Sequence, residues 1–263
     1  MIFRREFSRS LKALIIWSVL LSGLIFLVLS MYPTFAEQQD SLQKMFDAFP
    51  ESLQKMFGMH ELDFSTIIGF YAIEAYLIVA LFGSIYAAML AANILAKEES
   101  EKTIEFLLSM PVTRNTIVSS KLLLVIVNLF IFNALIALVS WLGFLTAGET
   151  PAPTDFLWLV IGSLLTHLIF ASAAFLLSAT LRRGRNTWPV AIGIVLFTYF
   201  LDAIAGISVQ TEFLKHFSPF QYFNATDILA KQGLPAGYTM ITCAIIVVCI
   251  SATYAYYHQK DIV

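Results

Sequence analysis

A chain of 263 residues that is 59% hydrophobic and 13% charged, with a mean hydropathy of +0.79, falls outside the water-soluble class, where charged residues make up about 25%. The net charge of −2 says nothing of partners by itself, whereas the placement of the charges does. The apolar residues gather into six runs, about 13–32, 67–96, 117–146, 156–181, 188–209 and 237–257, each long enough to cross a bilayer. The sequence predicts an all-α membrane protein: six transmembrane helices in one domain over 1–263, an N-terminal interfacial elbow helix over 1–12, and a short lateral helix between the second and third runs.

Placing the N-terminus in the cytoplasm puts twelve of the sixteen basic residues inside, from Arg4, Arg5, Arg9 and Lys12 through Lys97, Lys102, Arg114 and Lys121 to Arg182, Arg183, Arg185 and Lys260. Lys44, Lys55, Lys215 and Lys231 fall outside. The positive-inside bias therefore sets both termini in the cytoplasm. Arg4, Arg5, the first run and Thr34-Phe-Ala36 imitate a cleaved signal peptide, but the stretch from Ala13 to Leu29 exceeds the 7–15 apolar residues usual for one, so a retained helix is expected.

Residues 1–12 interleave Ile2, Phe3 and Phe7 with Arg4, Arg5 and Arg9, which suits a helix lying at anionic headgroups; a disordered basic leader is the other reading. After the first run, Ser41-Leu-Gln-Lys-Met-Phe46 recurs as Ser52-Leu-Gln-Lys-Met-Phe57. This external loop, 33–64, reads as an interfacial helix pair on the outer leaflet, or as an entry surface for an amphipathic substrate. The second run carries small residues at Gly83, Ser84, Ala87, Ala88, Ala91 and Ala92, which allow helices to approach closely.

Lys97 to Lys121 is the longest strongly charged segment between two apolar runs. Lys97, Glu98, Glu99, Glu101 and Lys102 make a hydrophilic turn, and Thr103, Ile104, Glu105, Phe106, Leu107 and Leu108 follow with apolar residues at helical spacing. Pro111 lacks an N–H and ends that helix. Thr113 then predicts an N-cap for a new helix starting near Arg114.

Ionisable residues stand out within the second, fourth and fifth runs. Glu74 and Asp202 sit toward the outer ends of the second and fifth, where a carboxylate either lines a translocation space or reaches the interface and nearby tyrosines. His167 lies near the middle of the fourth, as a hydrogen-bonded packing residue or a proton relay. Arg182, Arg183 and Arg185 form a compact cytoplasmic turn. Ser218-Pro219 marks a turn in an aromatic segment before the last run, expected to dip along the outer surface. Cys243 and Cys249, six residues apart on one helix, face different directions and do not pair.

The chain lacks a G-x-x-x-x-G-K-[ST] phosphate loop, an H-E-x-x-H helix, a zinc-spaced Cys/His cluster and a G-x-S-x-G elbow, so no ATPase or hydrolase site of those kinds is read in it. The central segment resembles the motif of ABC-2 type transporter permeases: an acidic residue, Gly-Thr-(Ile/Leu)-Glu-x-Leu-Leu, Pro-(Val/Ile)-(Ser/Thr)-Arg and a following lysine. Glu98/Glu99, Thr103, Ile104, Glu105, Leu107, Leu108, Pro111, Thr113, Arg114 and Lys121 match, and Lys102 stands where the family often has glycine. Ser218-Pro-Phe-Gln-Tyr-Phe223 and the tail Lys260-Asp-Ile262 are also similar to that family.

The resemblance implies that Glu98 to Met110 is a coupling helix docking on a separate ABC ATP-binding subunit through Glu98, Glu99, Glu101, Thr103, Ile104, Glu105, Leu107, Leu108, Pro111 and Arg114. Arg182, Arg183 and Arg185 would make a second contact. ATP and Mg would be bound by that partner, leaving this chain without a cofactor or catalytic residue of its own. A second permease subunit, identical or related, would complete the path through the membrane lipid, with Glu74, Asp202 and His167 as candidate lining. The resemblance and the Met/Phe-rich repeat point to export of an amphipathic or hydrophobic substrate such as a small peptide, an antimicrobial or a lipid, with no nucleic acid involved. The other reading is a non-transporting scaffold or sensor that binds an ATPase.

Overall fold

The computed structural model describes residues 2–38, 66–95, 113–180, 187–206 and 209–259. Among them all regular structure is helical, and six helices are long and apolar enough to cross a membrane. The spans are Ile2–Ser30, Ile67–Ala92, Arg114–Ala147, Pro153–Thr180, Trp188–Ala205 and Ala236–Gln259. Six crossings bring both ends of the chain to one face of the bundle, here the terminal face. The repeat segment within 39–65 lies outside the described residues.

The first span is one unbroken helix from Ile2, so the elbow expected over residues 1–12 is not set off as a separate element. Nothing in that stretch breaks a helix: it holds no proline or glycine before Gly23. The stacked Phe3–Phe7 rings and the Glu6–Arg9 ion pair, at 3.9 Å, add local support. The helix stops where Pro33, in the first turn of the short helix Tyr32–Glu37, cannot continue it. The third span starts where expected: the Thr113 hydroxyl accepts the Thr116 N–H at 3.2 Å, and the helix Arg114–Ala147 is closed by Gly148, which takes the left-handed conformation (φ 84°).

Spans 2 and 4 form the centre, each with 61% of its apolar window buried, against 17% and 11% for spans 5 and 6. The small residues of span 2 make this approach possible, and Gly83, Ser84, Ala87, Ala88, Ala91 and Ala92 are all buried. A Cβ on Gly83 would fall 2.2 Å from His167 Nε2, so the histidine of span 4 occupies the space the glycine leaves. Gly143 similarly admits Leu29 of span 1. Polar side chains join the remaining contacts: Ser10 donates to Asn128 Oδ1 between spans 1 and 3, and Ser163 to Asn133 Oδ1 between spans 4 and 3. At the face opposite the termini, Tyr71, Phe144 and Phe156 meet edge to face, with centroids 5.1–5.6 Å apart.

Two departures from regular spans stand at that opposite face. Residues Tyr71–Ala75 of span 2 form a π-helical turn. Between spans 5 and 6, a 3₁₀ helix, Val209–Phe217, leads to short helices Pro219–Tyr222 and Ala225–Lys231 that enter the bundle. The Tyr76 hydroxyl donates to the Phe223 carbonyl at 2.8 Å, and Ile228 fills the space beside Gly162. Tyr76 and Gly162 each lie nine residues from the outer end of their span, about 14 Å along the axis. The segment expected to dip along the surface therefore reaches well into the bundle.

Candidate functional site

The richest cross-span polar cluster among the described residues lies on the terminal face, around the end of span 2. A helix leaves its last four carbonyls without partners inside itself. Span 2 has no glycine to turn back on them, because Asn93, Ile94 and Leu95 follow Ala92. Its neighbours supply the partners instead. The buried Thr187 hydroxyl, at the start of span 5, bonds the Ala92 carbonyl and lies 2.7 Å from Asn93 Oδ1, sharing its single proton between the two acceptors. The Thr187 N–H also donates to Asn93 Oδ1, at 3.0 Å. The Leu95 N–H donates to Ser178 Oγ, near the end of span 4, at 2.9 Å. Lys121 of span 3, 1% exposed, donates its Nζ to the Ile94 carbonyl. A buried ammonium is costly, but here it sits at the negative end of a helix dipole.

A second link joins span 3 to span 6. The Arg114 guanidinium donates to the His258 carbonyl at 2.9 Å and the Tyr257 carbonyl at 3.4 Å, among the orphan carbonyls of the last helix. One turn along, Ser119 Oγ and the Tyr254 hydroxyl are 2.6 Å apart. The segment 96–112 is thus flanked by two anchored points: residues 92–95, tied into spans 3, 4 and 5, and Thr113–Arg114, tied to span 6.

Of the residues singled out in the sequence, Lys121 and Arg114 lie within this arrangement, the first on the end of span 2 and the second on the last span. Glu98, Glu99, Glu101, Thr103, Ile104, Glu105, Leu107, Leu108 and Pro111 lie outside the described residues, as do Arg182, Arg183 and Arg185. Glu74 sits in the π-helical turn with its side chain exposed. Asp202 is half-buried near the end of span 5; its Oδ1 has no hydrogen-bond partner among the described residues, and the positive charge of Lys215 acts on it.

His167 is fully buried, with Nε2 3.1 Å from the Val79 carbonyl and its ring edge-on to Phe132. A carbonyl only accepts, so Nε2 carries the proton and Nδ1 is the free acceptor. The structure brings these three ionisable groups into no common cluster, and among the described residues no three His, Cys, Asp or Glu side chains gather where they could hold a metal.

Sequence reasoning did not find Asn93, Ser178 or Thr187. A signal existed for Thr187, which precedes Trp188-Pro189 as an N-cap threonine would. Its backbone is already helical (φ −89°, ψ −17°), and its side chain makes no cap bond to its own helix. The hydroxyl is used across spans instead.

A family model described as ABC-2 family transporter protein matches residues 1–262 of the chain. No curated protein matches it.

Proposed function

The chain belongs to the ABC-2 transporter family, whose membrane subunits associate with an ABC ATP-binding subunit, and from that premise we propose that it is the permease subunit of an ATP-driven exporter. The observation that carries this reading is the family match along residues 1–262. In it the terminal face is cytoplasmic, as the distribution of basic residues supports. Residues 97–111 act as the coupling helix, with Glu98, Glu99, Glu101 and Glu105 offering charge to the ATP-binding subunit, which holds ATP and Mg. Arg182, Arg183 and Arg185 make the second contact.

A second copy or a related chain completes the path. The uncovered surfaces of spans 5 and 6 leave room for it, and the exposed Glu74 supports a wet or protein-covered face on span 2, because a carboxylate facing hydrocarbon is costly. Asp202, with its unpartnered oxygen, is the second lining candidate. His167, packed against Gly83 and bonded to Val79, fits the packing role better than a relay. The substrate is amphipathic or hydrophobic.

Affinity purification of the tagged chain from its native membranes in mild detergent tests the reading. A stoichiometric ATP-binding subunit is expected to co-purify and to be lost with Glu105→Ala or Leu108→Ala while membrane insertion is kept. A folded chain that brings down no ATPase would overturn the permease assignment.

A further inference from the structure

Spans 5 and 6 lie at the edge of the bundle, span 6 against span 4 and span 5 against span 2, with their outer faces uncovered. Among its described residues span 5 buries Ala191, Val195 and Ala205, and span 6 buries Thr242, Thr253 and Tyr257. Helices at the edge of a bundle can shift against its centre with the least repacking, and coupling travels through elements that are physically joined. On the terminal face each of the two is joined by specific polar bonds, and to different points. Span 5 is joined through Thr187 to Ala92 and Asn93, three residues or fewer before Leu95. Span 6 is joined through Arg114, the residue after Thr113.

We propose that the Asn93–Thr187 pair is a latch that carries motion entering the bundle at Leu95 into span 5, and that Asn93 and Thr187 are positioning residues for transport. The inference rests on the permease reading above. Three features mark the latch as more than packing. Thr187 gives up the cap of its own helix to make it. Its hydroxyl and its N–H both go to the last residues of span 2, a two-point attachment that fixes direction as well as distance. The same few residues are braced from behind by Ser178 and Lys121, so the end of span 2 is held to spans 3 and 4 while it pulls on span 5. Motion entering at Thr113 takes the other route, through Arg114 to span 6. Loss of the latch leaves an ATP-binding subunit that binds and cycles while span 5 stays still.

The test uses the purified complex in lipid nanodiscs, with Cys243→Ser and Cys249→Ala to clear the background and nitroxides at the exposed positions Ile204 and Leu145, at the far ends of spans 5 and 3. The distance distribution between the labels is read without nucleotide and after trapping with ATP and vanadate. The parent complex is expected to shift between the two states. Thr187→Val is expected to lose the shift while still trapping nucleotide and hydrolysing ATP, and Thr187→Ser, which keeps the hydroxyl, to restore it. Should Thr187→Val fail to fold, Asn93→Ala at the half-exposed partner removes both bonds to Asn93 Oδ1, leaving only the hydroxyl bond to the Ala92 carbonyl; each variant thus keeps one of the two points of attachment, and the same loss is expected. A full shift with trapped nucleotide in either variant overturns the latch, as does a parent that traps nucleotide with no shift. Absence of any co-purifying ATPase overturns the permease reading and the latch together.

Discussion

Replacing Gly83 with alanine tests the centre of the bundle. The added Cβ would lie 2.2 Å from His167 Nε2 and 2.4 Å from Cε1, where ordinary contacts begin at 3.4 Å. The ring must retreat by about 1 Å or more, yet it is fully buried, held by the Val79 carbonyl and bordered by Phe132. Overpacking of this kind costs about 1–3 kcal/mol. For a chain of this size that corresponds to a fall in melting temperature of about 2–10 °C. The assay is thermal unfolding of the detergent-solubilised protein for the parent, Gly83→Ala, His167→Ala and the double variant.

The cycle separates the clash from any general effect of the substitution. With the imidazole gone, the methyl group enters vacated space, and alanine is the better helix former by about 1 kcal/mol. Gly83→Ala is therefore expected to be neutral or stabilising in the His167→Ala background. Equal destabilisation in both backgrounds would refute the assignment of Gly83 as the seat of His167.

Other outcomes follow from single contacts. Tyr76→Phe leaves the Phe223 carbonyl without its 2.8 Å donor; a loss of about 1–3 kcal/mol is expected, and an unchanged melting temperature would show that the inserted segment is not held there. Glu149 accepts from the Tyr32 hydroxyl at 2.5 Å and the Ile67 N–H at 3.3 Å, so it joins the opposite ends of spans 1, 2 and 3. Glu149→Ala should cost about 1–2 kcal/mol and speed proteolysis at that face, and protection equal to the parent would count against the tie. Glu74→Gln and Asp202→Asn should lower transport in proteoliposomes more than they lower complex yield; normal transport by both would return these carboxylates to a packing or interfacial role.

Much of the fold is legible in the sequence because hydrocarbon imposes it: six long apolar runs, and a threonine placed to cap the third span. The small residues of span 2 announced the central packing for a physical reason, since only small side chains let helix backbones approach. Which face of a span turns inward was not legible. In span 1, Leu14, Leu21, Ile25 and Leu29 are buried while Ile15, Ile16, Val19 and Leu20 are exposed. Lipid and protein interior both accept such residues, so hydropathy carries no directional signal. The site at the end of span 2 was hidden for a different reason. Beside Lys121, which the motif marked, its members Asn93, Ser178 and Thr187 are single polar residues far apart in the chain, and each has an unremarkable local role until the helices meet.

The π-helical turn in span 2 sets how the two halves of that helix are aimed. Ile67 and Gly83 are both buried and are separated by sixteen steps. On a uniform α-helix, at about 100° per residue, they would point about 160° apart. The extra residue accommodated at Tyr71–Ala75 takes back one step, leaving about 60°. Both therefore face the same interior, and Glu74 is left pointing away from it. Span 2 thus behaves as two aligned pieces with a spare residue between them. Deleting Ile73 would leave a uniform α-helix with fifteen steps between Ile67 and Gly83, again about 60° apart, so Ile67 and Phe70 keep their place in the aromatic core and this stretch should tolerate a one-residue deletion that elsewhere in the span would turn one end by about 100°.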